Sequence, residues 1–181
     1  YARKVLGIEQ PSIGILNIGS EDVKGHEQLQ HAAAMLQEIN LPIRFHGFVE
    51  GDDITKGTVD VVVTDGFTGN IALKTAEGTA RMFSTFLKEA MMGSLSSRIG
   101  ALLAKNSLSK FKDRIDPRRY NGAMFLGLNG ICIKSHGGTD AFGFANALDV
   151  AVELISDDLN DVIKEDLSHL DELHPEALSN S

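Results

Sequence analysis

Three short apolar runs, separated by segments of helical period, most constrain what this chain can fold into. They are Ile13-Gly-Ile-Leu-Asn-Ile18, Ile43-Arg-Phe-His-Gly-Phe-Val49 and Val59-Asp-Val-Val-Val63. The third has valine at four of its five positions, a β-branched composition that suits a buried strand. Between the first two, a helix is predicted from about His26 to Ile39, with Leu29, Ala32, Ala33, Leu36 and Ile39 on one face. Pro42 marks the break that follows. Glu50-Gly-Asp-Asp53 begins a loop, Ile54 to Gly57 a short turn, and a long helix is predicted from about Thr68 to Met92. This alternation implies an α/β fold with a largely parallel sheet covered by helices on both faces. In such sheets ligands bind beyond the carboxyl ends of the strands. The loops holding Lys24, Glu50–Asp53 and Asp65–Asn70 all follow strands and converge on that edge.

The stretch from Val59 to Lys74 runs strand, glycine turn, helix start. Helix-start N–H groups and the helix dipole favour an anion, and Gly66 and Gly69 let one approach the backbone closely. The turn with Gly66, Thr68 and Gly69 therefore reads as a phosphate site or an oxyanion stabiliser, the alternative being an ordinary βα turn. Asn70, near the first helical turn, can donate its amide to an oxyanion or be a helix-start residue without chemical role. Lys74, one turn later on the same face, reads equally as a surface lysine. Lys24, beside Gly25, can meet a phosphate as a point charge or be simply solvated.

The segment from Gly93 to Tyr120 differs in character. Leu95, Ile99, Leu102 and Leu103 form an apolar stripe, continued by Leu108, Phe111 and Ile115. Seven basic residues stand there against two acidic ones, in a chain of net charge −8. A basic amphipathic helix pair suits a membrane surface or an acidic protein partner; the alternative is a hairpin packed on its own core with a solvated basic face. The overall negative charge does not advertise nucleic-acid binding. With a single cysteine no internal disulfide forms, which fits a reducing cytoplasm.

Ala123-Met-Phe-Leu126 and Ile131-Cys-Ile133 read as short strands around Gly127 to Gly130, with Cys132 a small buried hydrophobe. Lys134-Ser-His-Gly-Gly138 is a second glycine turn before a helix that Thr139-Asp140 caps. His136 can titrate near neutrality, but no carboxylate beside it in sequence completes a triad. Leu148, Val152, Ile155, Leu159, Val162 and Ile163 form one apolar seam on a continuous helix, for packing on the body or on a partner chain. Beyond about Ser156 the chain is an acidic helical tail that frays towards Ser181. No histidine spacing suits a metal, and no dinucleotide, Walker or nucleophile-elbow motif occurs. The start at Tyr1, like the end of a helix, suggests entry in mid-protein.

Several stretches together resemble the bacterial phosphate acyltransferase (PlsX) family. They are Ile13-Gly-Ile-Leu-Asn-Ile-Gly19 with Glu21-Asp-Val-Lys-Gly25; Phe45-His-Gly-Phe-Val-Glu50; Val59 to Asn70 with Leu73-Lys-Thr75 and Glu77-Gly78; and Gly127 to Gly137. They occur in the family's order from about Pro11 to Ala151, so residues 1–155 resemble the family's C-terminal half. The resemblance implies a three-layer α/β/α fold like isopropylmalate dehydrogenase and phosphotransacetylase, with the helical hairpin of about residues 93–120 as an insert. It implies transfer of a fatty acyl group from acyl carrier protein to inorganic phosphate, giving acyl phosphate for phospholipid synthesis, without metal, cofactor or protein nucleophile. Lys24 and Asn70 fall on the family's catalytic positions, and Lys134, Ser135 and His136 are further candidates for the same pocket. A cytoplasmic homodimer, peripheral on the inner membrane through Leu95, Ile99, Leu102 and Leu103, is implied too. Competing readings are phosphotransacetylase-type transfer from acyl-CoA, or a non-catalytic fragment that binds membrane and acyl carrier protein. The family's N-terminal half has no counterpart in this sequence.

Overall fold

The structure is a computed structural model that describes residues 1–38 and 43–173. The expectations placed on Ile39, Pro42 and the end of the acidic tail lie outside those residues. The chain divides into two compact units, Ala2–Thr79 and Ala80–Ser181.

The first unit holds a parallel three-stranded sheet of β1 (Ser12–Leu16), β2 (Arg44–Val49) and β3 (Val61–Val63), in the order β2-β1-β3. All three apolar runs become strands. The third is shorter than expected because Asp60 turns to the neighbouring strand: Ser12 donates to Asp60 Oδ2 from its N–H at 2.7 Å and its hydroxyl at 2.6 Å. As an edge strand β3 is only half covered, and Val63 is exposed, against the expectation of a buried strand. Ile15 pairs with Phe48 on one side and Val63 on the other, so all three carboxyl ends lie on one edge. A bulge sets His46 out of the β1–β2 register.

Helix α1 (Ala2–Val5) precedes the sheet, and α2 (Glu27–Glu38) packs Leu29, Ala32, Ala33 and Leu36 against Ile15, Phe45 and Phe48. These are the expected apolar positions, and their i, i+3, i+4 spacing makes one stripe. Val49, 1% exposed, follows Phe48 on the strand and packs beside Gly14 instead. The segment read as a loop and turn is instead a short helix, α3 (Gly51–Lys56), begun where the Glu50 N–H donates to Asp53 Oδ2 at 2.9 Å. The long helix α4 spans Gly66–Met92, starting two residues earlier than expected.

In the second unit the basic insert forms α5 (Leu95–Leu103), α6 (Lys105–Arg114) and a 3-10 turn, Pro117–Tyr120. Neither α5 nor α6 buries a residue, so a hairpin packed on its own core is not what forms. The two expected short strands shrink to an antiparallel pair, β4 (Ala123–Met124) and β5 (Ile133–Lys134). Cys132 lies just outside β5 and is exposed, correcting the expectation of a buried thiol.

The long C-terminal helix is two helices, α7 (Ala141–Ser156) and α8 (Leu159–Leu173), broken where Asp158 takes a left-handed conformation at φ 48°. The apolar seam is therefore not continuous. Gly143, Ala147 and Leu154 form the buried face of α7, whereas Leu148, Val152 and Ile155 are exposed. Leu159, buried, belongs to the next helix.

Candidate functional site

The carboxyl edge of the sheet is built by three chain segments. β1 leads into the loop 17–26. Asn17, only 9% exposed at the end of that strand, directs the loop. Its N–H donates to Val49 O at 2.8 Å, its Oδ1 accepts from the Ile18 N–H at 2.8 Å, and its Nδ2 donates to Lys24 O at 3.0 Å. Gly25 sits against that amide with φ +85°, and a Cβ there would overlap Asn17 Oδ1. Gly19 lies under the Lys24 side chain: a Cβ would come within 2.5 Å of Lys24 Cδ.

Lys24 Nζ pairs with Glu21 Oε1 at 2.8 Å, both groups remaining accessible. Glu21 raises the Lys24 ammonium above its usual range, first by that hydrogen bond and then by its charge, and Glu50 at the end of β2 adds to the effect. Lys24 in turn holds the Glu21 carboxyl below its usual range. The edge thus carries a protonated lysine paired with an accessible carboxylate.

β3 leads through Thr64 and Asp65 into α4. Asp65 Oδ1 accepts from the N–H groups of Phe67 and Thr68, each at 2.9 Å, and the Gly69 N–H donates to Asp65 O at 2.9 Å. The Thr68 hydroxyl, with those N–H groups, holds the Asp65 carboxyl below its usual range. The helix start is thus not the open set of N–H groups expected around Gly66, Thr68 and Gly69; the anion it holds is its own capping carboxylate. Asn70 and Lys74 follow on α4, both exposed, and among the described residues neither side chain has a hydrogen-bonding or ionic partner. Lys24 and Asn70 therefore follow the carboxyl ends of adjacent parallel strands. The chain leaves β1 for β2 on one side and returns past it to β3 on the other, which makes this edge a topological switch point.

In the second unit, Lys134 ends β5 and is exposed, and Ser135 and His136 begin the following turn. This turn hangs on Asn121, 8% exposed. Asn121 Oδ1 accepts from the His136 N–H at 2.8 Å, and Nδ2 donates to Ser135 Oγ at 2.8 Å and Gly143 O at 2.7 Å. His136 Nδ1 accepts from the Gly138 N–H at 3.1 Å. Arg118 sews the preceding 3-10 turn onto α7, pairing with Asp116 at 2.6 Å and Asp140 at 2.7 Å and lying over the Phe142 ring. Arg118 holds the Asp116 carboxyl down at about 2.

Sequence reasoning missed Asn17 and Asn121. Each is a lone amide next to an apolar run or a glycine, and only the buried setting distinguishes it from a surface residue. The Asp65 cap was legible, since aspartate directly before a helical run is a favoured cap. Among the described residues no group of three or more His, Cys, Asp or Glu side chains is placed to hold a metal ion.

The first unit is thus a parallel sheet with Lys24 and Asn70 beyond adjacent strand ends, the edge at which sheets of this kind bind ligands. Residues 1–162 match the family described as "Fatty acid synthesis protein", and the chain belongs to that family. It is 65% identical over 170 residues to a phosphate acyltransferase of Paramagnetospirillum magneticum, covering 94% of this chain and 48% of that protein. To the phosphate acyltransferase of Rhodospirillum rubrum it is 59% identical over 168 residues, covering 93% and 48% respectively. To that of Parvibaculum lavamentivorans it is 62% identical over 170 residues, covering 94% and 47%. The chain spans about half the length of the curated relatives it matches.

Proposed function

We propose that this chain is part of an acyltransferase that moves a fatty acyl group from acyl carrier protein to inorganic phosphate. The observation that carries the reading is the 65% identity to a phosphate acyltransferase across 94% of the chain. In the proposed reaction a phosphate oxygen attacks the thioester carbonyl carbon. The carbonyl oxygen becomes an oxyanion, and the C–S bond breaks. The carrier's thiolate leaves and takes a proton, and acyl phosphate is the product. Lys24 neutralises phosphate or the developing oxyanion, and Asn70 orients phosphate or the carbonyl. Because Lys24 rests on Glu21, phosphate takes the place of that carboxylate. Gly66, Thr68 and Gly69 shape the βα turn, and Lys74 adds positive charge one turn beyond Asn70; in the second unit Lys134, Ser135 and His136 are further candidate donors.

The fold proposed for the whole protein is a three-layer α/β/α sandwich, with residues 1–155 its C-terminal half and an acidic tail from 156. Its location is the cytoplasmic face of the inner membrane. Leu95, Ile99, Leu102 and Leu103 fall on one face of α5, all four exposed, and the cations of α6 are exposed as well. That pairing supports contact with anionic lipid and a landing site for acidic acyl carrier protein. No helix among the described residues is long and apolar enough to cross a membrane. The exposed Leu148, Val152 and Ile155 of α7 support a homodimer.

The test is phosphate-dependent loss of acyl carrier protein thioester, with acyl-CoA as the competing donor. Lys24→Ala and Asn70→Ala are each expected to lower kcat by about 10²–10³-fold with folding intact. Rates near that of the unsubstituted protein would reject the assignment.

A further inference from the structure

The buried amide of Asn121 spends its hydrogen-bonding capacity on one turn. Its oxygen fixes the His136 backbone, and its NH₂ group bridges Ser135 Oγ to the Gly143 carbonyl in the first turn of α7. Two consequences follow from donor and acceptor accounting. Ser135 Oγ accepts from Asn121, so its own proton is left to donate elsewhere. His136 Nδ1 accepts from the Gly138 N–H, so in the neutral ring the proton is on Nε2 and the exposed edge of the imidazole is a donor. Asn121 therefore sets the donor character of Ser135 directly, and it anchors the backbone of the turn in which the Gly138 N–H sets that of His136.

We propose that Asn121 is the positioning residue of a two-donor site, in which the Ser135 hydroxyl and the His136 Nε2–H bind an oxygen of phosphate or of the acyl carbonyl. The proposal rests on the acyl-transfer reading for the identity of the ligand. It does not rest on it for the geometry, which is a property of the Asn121 bonds and of the Gly138 bond to the imidazole. Burial explains why an amide is needed: an aliphatic side chain would leave the His136 N–H without its partner and take from the Gly143 carbonyl the donor it has besides its helix bond.

The experiment uses the intact protein and two readouts. The first is the imidazole nitrogen NMR spectrum of His136, with and without inorganic phosphate. In the unsubstituted protein the neutral ring carries its proton on Nε2, and phosphate shifts that N–H saturably. In Asn121→Ala the tautomer preference and the phosphate response are lost; retention of both overturns the proposal. The second readout is steady-state acyl transfer. A rise of about tenfold or more in KM for phosphate in Asn121→Ala assigns the donors to phosphate. A fall of about 100-fold in kcat with both KM values unchanged assigns them to the carbonyl oxyanion. Unchanged constants overturn the proposal and leave the acyl-transfer reading standing. No turnover by the unsubstituted protein, with a saturable phosphate response at His136, removes the acyl-transfer reading and keeps the donor pair. Should Asn121→Ala not fold, His136→Gln and His136→Ala decide. The glutamine amide can replace the Nε2–H and is expected to restore activity that alanine loses, whereas equal loss in both overturns the proposal.

Discussion

At the scale of single residues, the edge of the sheet depends on side chains that touch backbone. Gly25 is the clearest case. Its φ of +85° and the Asn17 amide beneath it exclude any side chain. Gly25→Ala is therefore expected to cost about 1–3 kcal/mol and to displace Lys24, read as a lower melting temperature together with slower acyl transfer. A second residue-scale prediction concerns Asp116, whose carboxyl lies at about 2 because of Arg118, against an ordinary 3.8. A lowered carboxylate stabilises the folded state above the unfolded value and loses that contribution as pH falls through the folded one. The stability gap between the unsubstituted protein and Asp116→Asn should be full above about pH 4 and close near pH 2. Arg118→Met should return the Asp116 titration, followed by carboxyl carbon NMR, towards its ordinary position. A gap independent of pH would reject the Arg118 attribution.

At the scale of elements, α2 and α5 show opposite fates for the same kind of sequence pattern. Both carry an apolar stripe at helical spacing. In α2 it meets Ile15 and Phe48 and becomes core; in α5 nothing among the described residues covers it. Leu102 and Leu103 are 72% and 83% exposed, and contiguous exposed apolar side chains mark an interaction surface. Replacing both with glutamate is expected to abolish co-flotation with vesicles rich in anionic lipid. Leaving acyl transfer from soluble acyl carrier protein to phosphate intact would separate lipid contact from carrier docking. Flotation equal to that of the unsubstituted protein would discard lipid contact.

At the scale of the whole molecule, the exposed apolar face of α7 is where the proposed homodimer is tested. Leu148, Val152 and Ile155 recur at helical spacing opposite the buried Gly143, Ala147 and Leu154. A homodimer through this face predicts a sedimenting species of twice the 19.5 kDa chain mass for this chain, and Val152→Glu should shift it to monomer. A dimer untouched by that substitution would place the interface elsewhere.

The amino-acid sequence by itself determined the elements with strong local signals and the family they belong to. The three apolar runs are strands because their lengths and β-branched residues suit a sheet, and α2 forms on the stripe predicted for it. The motif stretches from Ile13 to Gly137 identify a phosphate acyltransferase-like chain without any coordinates. Tertiary structure decided the rest, because the deciding contacts lie far apart in sequence. Asp60 shortens β3 by bonding Ser12, forty-eight positions away, which no local pattern records. Asp158 splits a seam whose apolar spacing alone reads as continuous. Cys132 alternates like a core residue, yet β5 begins one position later and leaves the thiol exposed. Asn17 and Asn121 matter through burial, and burial depends on the packing of the completed fold.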